Sequence, residues 1–230
     1  MEFKNYTYLL LILGLLAIPL SFTFNNRICF YAKLKYLFPA IFFSGAIFLL
    51  WDIRFTGLKI WSFNPEYLTG IYIYGVPVEE WLFYFAVPYS AVFLYETLVV
   101  KFPDFEKPNL FLAISLVLFV AFGLIAYFAR QKVYTFFTFF LLTIYFGYTI
   151  FRNRFKQHYT KFYLTWFIFL VPFFIVKSVL TALPIVEYDN MHNLGVQIFT
   201  IPLEDFFYSF SMLALAAMVY DLAGKRGRAV

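Results

Sequence analysis

Two short motifs in the 230-residue chain set carboxylic acids side by side: Pro77-Val78-Glu79-Glu80 and Pro202-Leu203-Glu204-Asp205. Paired acids among aromatic neighbours are equipment for moving protons. Carboxyl groups that share a poorly hydrated pocket cannot all ionise, because desolvation and like-charge repulsion hold protons on some of them. A proton donor then stands beside an acceptor at neutral pH. Trp81, Phe83, Phe206, Phe207 and Tyr208 flank the acids, and their ring faces suit a cationic intermediate or an apolar substrate. Each motif is also ordinary helix chemistry: proline favours the first helical position, so Pro77 and Pro202 are expected to open helices, and acids in a first turn complement the helix dipole.

The elements that position these acids are apolar. Hydrophobic residues make up 63% of the chain and charged residues 13%, against about a quarter charged in a soluble domain. Stretches near the ~20 residues needed to cross a bilayer recur seven times: 6–22, 34–51, 81–100, 109–128, 133–151, 162–180 and 206–222. The first is followed by no small-residue cleavage site and is read as a retained helix. The net charge of +5 does not point to nucleic acid, since the basic residues lie mostly in short connections. Five of them, Lys4, Arg54, Lys59, Arg130 and Lys132, fall on one face of the membrane, and twelve fall on the other. The positive-inside rule puts the N-terminus outside and the C-terminus in the cytoplasm.

A repeat at an offset of 125 residues organises the chain. Gly70 to Glu96 aligns without a gap on Gly195 to Asp221, matching Gly70/Gly195, Pro77/Pro202, Glu79/Glu204, Phe85/Phe210 and Tyr95/Tyr220. This predicts an all-α membrane protein of two parallel three-helix repeats, 1–100 and 131–230, joined by a linker helix within 101–130. An odd number of connecting helices keeps the repeats parallel. Both acid motifs then lie at one depth, on the outer side.

Asp52 and Lys177 occupy equivalent positions near the ends of the second and sixth helices. Intramembrane charges need partners or water, so the two are assigned a structural role, either bridging the halves or reaching the interface. Glu96 and Asp221 follow the motif acids by some 24 Å of helix and are expected to meet water. Cys29, the one cysteine, excludes an intramolecular disulfide and a thiolate cluster and is expected to pack as a small apolar residue. His158 and His192 are too few for a histidine-rich di-iron site, and no phosphate-binding glycine motif occurs.

PVEEW and PLEDF, each opening a hydrophobic helix in a duplicated half, resemble the integral-membrane lycopene cyclases, in their fused form. Trp51-Asp52, WSFNPEYLTG at 61–70 and LPIVEYD at 183–189 add to the likeness. The resemblance implies that Glu79, Glu80, Glu204 and Asp205 perform acid/base catalysis. A terminal double bond of lycopene or a related linear carotenoid is protonated, a six-membered ring closes, and a proton leaves; which proton leaves decides between a β-type ring, the expected one, and an ε-type ring. It implies no cofactor and no metal, a bilayer setting in the cell membrane, and other carotenoid-pathway enzymes as partners. The competing classes are a small ion-coupled carrier, which would hold its acids nearer the midplane, and a retinal-binding protein, which needs a lysine buried in a helix.

The charge asymmetry makes a prediction. A reporter fused after Val230 reads as cytoplasmic and one inserted between Trp61 and Gly70 as external; the opposite labelling inverts the topology.

Overall fold

The computed structural model describes residues 3–25, 27–152 and 159–226. Arg154, Lys156, His158 and Arg228, counted above, lie outside them. Seven described helices are long and apolar enough to cross a membrane: α1 (Thr7–Phe22), α2 (Leu34–Gly57), α3 (Val78–Lys101), α4 (Pro108–Phe128), α5 (Val133–Arg152), α6 (Tyr159–Ala182) and α7 (Leu203–Arg226). The chain is an all-α integral membrane protein. α2, α3, α6 and α7 run about a turn beyond the apolar stretches, because acids and bases near their ends lower local hydropathy without breaking the helix.

Each long helix and each strand of the first half recurs in the second. α2 and α6, and α3 and α7, stand 125 residues apart, whereas α1 and α5 start 126 apart; α4 lies between the halves. Among the described residues six short strands, without a hydropathy signal of their own, build a crown over one end of the bundle: β1 (Trp61–Phe63), β2 (Tyr72–Ile73), β3 (Val76–Pro77), and their copies β4 (Val186–Tyr188), β5 (Gln197–Ile198) and β6 (Ile201–Pro202). β1 pairs antiparallel with β4 across the halves, with Ser62 opposite its own repeat counterpart Glu187. A pseudo-two-fold axis therefore passes through that pair. Alternation along a strand leaves Ser62 and Glu187 exposed while Trp61 and Val186 are buried.

β2 and β3 form a hairpin through Tyr74 and Gly75, both at positive φ (52° and 79°), the conformation a tight two-residue turn requires. Pro77 and Pro202 end β3 and β6 and stand one residue ahead of their helices rather than inside them. The reason is the hairpin: Pro77 pairs with Tyr72 in extended backbone, and Val78 N–H returns to the Ile71 carbonyl at 2.9 Å, as Leu203 does to Val196. Glu79 and Glu80 thus take the second and third helical positions.

The halves interlock, α2 against α7 and α3 against α6, and α4 covers α5 from outside. Prolines inside the helices free carbonyls four residues back, and neighbouring helices use them. Pro19 releases the Leu15 carbonyl, which accepts from the Ser90 hydroxyl of α3 at 3.4 Å. Pro88 releases the Tyr84 carbonyl, and Gly45 of α2 lies against it so closely that a Cβ there would stand 3.0 Å from that oxygen. Small residues are what let membrane helices approach.

At the opposite end, two expectations fail. Glu96 does not meet water: it is 7% exposed, pairs with Lys33 and accepts from Tyr220 of the other half at 2.6 Å. The cause is the convergence of α3 and α7, which brings its carboxylate between the halves. Cys29 is exposed, because its φ of 50° in the turn before α2 points it out of the core.

Gly45→Leu should separate α2 from α3, an overpacking cost of about 1–3 kcal/mol. The expected outcome is a lower thermal midpoint in detergent, whereas Gly14→Leu, with open space around it, leaves the midpoint in place.

Candidate active site

A small, partly open cavity of about 30 Å³ lies beneath the crown, between the two halves. That is room for a water rather than for a ring. Its lining takes one acid from each motif, Glu80 and Asp205, with Lys177 and a wall of aromatic rings. Helical period explains which residues face it. Glu80, Phe83 and Tyr84 lie at i, i+3 and i+4 on α3; Asp205, Tyr208, Ser209 and Met212 follow the same rule on α7. Trp81, Phe206 and Phe207 fall a step round the helix, outside the lining. Phe206 packs on Phe173 and Phe174, and Phe207 on Phe122, Phe139 and Trp166.

Glu79 and Glu204, also outside the lining, fasten the crown. Glu79 Oε1 accepts Thr69 N–H at 2.7 Å, and Glu204 Oε1 accepts Leu194 N–H at 2.7 Å together with the Thr135 hydroxyl at 2.6 Å. Each holds the loop ten residues before it onto the start of its own helix. Both side chains are fully buried.

Asp205 is held by three donors. Tyr134 donates to Oδ1 at 2.6 Å, Tyr188 donates to Oδ2 at 2.6 Å, and Lys177 lies 2.7 Å from Oδ2. Lys177 also donates to the Tyr188 oxygen at 2.9 Å. Burial first, and then the Asp205 charge and hydrogen bond, push the Tyr188 hydroxyl well above the ordinary tyrosine range. It remains a proton-bearing donor.

Glu80 accepts from Tyr8, as Asp205 does from Tyr134. In place of Lys177 the first half has Asp52, fully buried and within Coulombic reach of Glu80. Lys177 therefore bridges to Asp205 inside its own half, and no bond joins it to Asp52. Asp52 instead takes the Trp61 indole N–H at 2.7 Å through Oδ1, while Oδ2 is buried without a partner among the described residues. One half carries an ion pair where the other carries two acids.

A lycopene cyclase family model matches residues 5–98 and again residues 131–223. The chain belongs to the lycopene cyclase family. The double match follows the structural repeat and leaves α4 outside both copies. No curated protein and no solved structure matches the chain. Membership makes it an enzyme of carotenoid cyclisation, working on a carotenoid in the membrane, and the cavity under the crown is where Glu80 and Asp205 meet.

Tyr8, Tyr134, Tyr188 and Trp61 are the site residues that sequence reasoning missed. The signal for the first two was present: Tyr8 and Tyr134 are related by 126 residues, one off the gapless register. His192 touches the site through its backbone carbonyl alone, which accepts Tyr134 N–H at 3.0 Å at the start of α5.

Removing the lysine tests this electrostatic reading. Lys177→Met leaves Asp205 as an uncompensated buried charge, a loss of about 3–5 kcal/mol, seen as a lower thermal midpoint in detergent. Adding Asp205→Asn should recover part of it, because neighbouring substitutions that share one interaction are non-additive.

Proposed function

We propose that the protein converts the linear ends of lycopene to β-type rings by cofactor-independent proton transfer, with Asp52 and Glu80 as the donor pair and Asp205 as the acceptor. The two cyclase repeats are 1–100 and 131–230, with 101–130 supplying the linker. The protein sits in the cell membrane with its crown outside, an orientation supported by the count of five basic residues against twelve. Other carotenoid-pathway enzymes are its expected neighbours.

The observation that carries this reading is the broken symmetry at positions 52 and 177. Asp52 and Glu80 are buried like charges, and two such carboxyls retain a proton between them. Lys177 lies 2.7 Å from Asp205 and pairs with it. A donor and an acceptor thus face one cavity from opposite halves.

The chemistry follows in balanced steps. Glu80 gives its proton to the terminal carbon–carbon double bond, leaving a tertiary cation. The π electrons of an inner double bond attack that cation and close a six-membered ring. Asp205 takes a proton from a carbon next to the new cationic centre, and those electrons become the ring double bond. Product and substrate are isomers, and the proton that Asp205 gains equals the one Glu80 lost; a water in the cavity suffices to return it. Aromatic faces from Trp61, Phe83 and Tyr208 stabilise the intermediate cation. Glu79 and Glu204 act as positioning residues that hold the crown.

The test is expression in a lycopene-accumulating bacterial host with chromatography of the pigments. Glu80→Gln and Asp205→Asn should each cost about 10²–10⁴ in turnover while the protein stays folded in the membrane. Asp52→Lys, which makes the halves alike, should also abolish ring closure. Unchanged turnover in folded Glu80→Gln refutes the donor assignment. In heavy water the product should carry deuterium on the ring carbon beside the quaternary centre, and a product without it excludes protonation by a solvent-exchanging acid.

A further inference from the structure

The acid cavity is too small for its substrate, and the hydrocarbon must reach it from the bilayer. A second, half-open hollow of about 200 Å³ lies between α2 and α5 with α7 as its floor. Its wall includes Ile47, Phe48, Leu141, Ile144, Leu215 and Met218 and is almost wholly apolar. Phe48 connects the two hollows. It lines this hollow, and its ring stands edge-on to that of Tyr208, which lines the acid cavity, with centroids 4.9 Å apart. The floor is continuous as well. Tyr208 and Met212 face the acid cavity, and Ser211, Leu215 and Met218 carry the same side of α7 onward. From Asp205 to Met218 this strip covers about 20 Å.

The repeat supplies an internal control. The counterpart of this seam lies between α6 and α1 over α3, and there α1 packs against α6. Leu141 and Leu215 face the hollow in the second half. Their counterparts Leu15 and Ser90 are bonded to each other through the Leu15 carbonyl. Phe173, the counterpart of Phe48, lines the acid cavity itself. The bundle opens toward lipid on one of two equivalent sides, and that opening leads to the acids.

We propose that the α2–α5 cleft holds the polyene chain of a long linear hydrocarbon, with the Phe48–Tyr208 ring pair as the gate through which its end reaches Glu80 and Asp205. The proposal rests on the cyclase reading above. Rotation of one ring joins the two hollows. Continuity with the acid cavity distinguishes this occupant from a lipid acyl chain, which has no reason to pass the gate.

The experiment uses binding, so that it does not depend on turnover. The Glu80→Gln protein, purified in detergent from lycopene-accumulating cells, should carry bound lycopene, read from its visible absorption and induced circular dichroism. Ile144→Trp in that background fills the cleft from an exposed position, where overpacking of the core is avoided. Bound lycopene should fall by about tenfold or more, equivalent to some 1.4 kcal/mol, and Leu215→Trp should do the same. Ile18→Trp, the exposed counterpart of Ile144 on α1, should leave binding unchanged. Lycopene retained by folded Ile144→Trp and Leu215→Trp overturns the proposal, as does displacement of phospholipid alone, read by native mass spectrometry. Full turnover by Glu80→Gln itself is a different failure, that of the acid assignment.

Discussion

Burying carboxylates inside a membrane bundle is the constraint to which the rest of the structure answers. A charge removed from water costs several kcal/mol unless donors replace the solvent, and here five acids at the crown end lie nearly or wholly out of contact with it: Asp52, Glu79, Glu80, Glu204 and Asp205. Their donors come from other elements, some near in sequence and two of them more than seventy residues away. Tyr8 and Tyr134 descend from the first turns of α1 and α5, Trp61 and Tyr188 from the crown strands, and Thr69 and Leu194 N–H from the loops between. Each donor requires its element to be where it is. The crown exists less as a sheet than as a rack of hydrogen-bond donors above the acids.

Duplication makes such a rack economical to specify. A single β1–β4 pairing, centred on Ser62 and Glu187, fixes the register of both copies at once. Shifting that register by one residue would turn Trp61 and Tyr188 outward, taking the indole donor from Asp52 and leaving Asp205 with Tyr134 and Lys177 alone. Interlocking of α2 with α7 and α3 with α6 ties the copies below the crown, and the Glu96–Tyr220 bond ties them again at the far end. Between these two ties, the seam from α2 to α5 is free to stay open.

Seven helices and their repeat were legible because hydropathy and self-similarity are long-range signals, summed over some twenty residues each. The crown was not, since strands of two or three residues carry no period. Which acid of each pair faces the cavity depends on the residue at which the helix begins, and the hairpin moves that start one place past the proline. A step of one residue turns a helix by about 100°, enough to send Phe206 and Phe207 away from the site and bring Tyr208 into it. The sequence also set Asp52 opposite Lys177 as a matched pair. In three dimensions no bond joins them: Lys177 pairs with Asp205, and Asp52 takes the Trp61 indole, although the lysine's charge still reaches Asp52 and Glu80.

That last point bears on how a duplicated protein can run an asymmetric reaction. Proton donation and proton removal need opposite charge states, whereas two identical halves about a two-fold axis would offer the same state twice. A shared proton between Glu80 and Asp205 alone would leave the choice of donor to chance at each turnover. One difference between the repeats, lysine at 177 where the first copy has aspartate at 52, resolves the degeneracy. The lysine pairs with Asp205, and the aspartate lies buried near Glu80. On the proposed reading, the direction of proton flow through the cavity is set by that single divergence, while the frame that holds both acids in place is shared by the two copies.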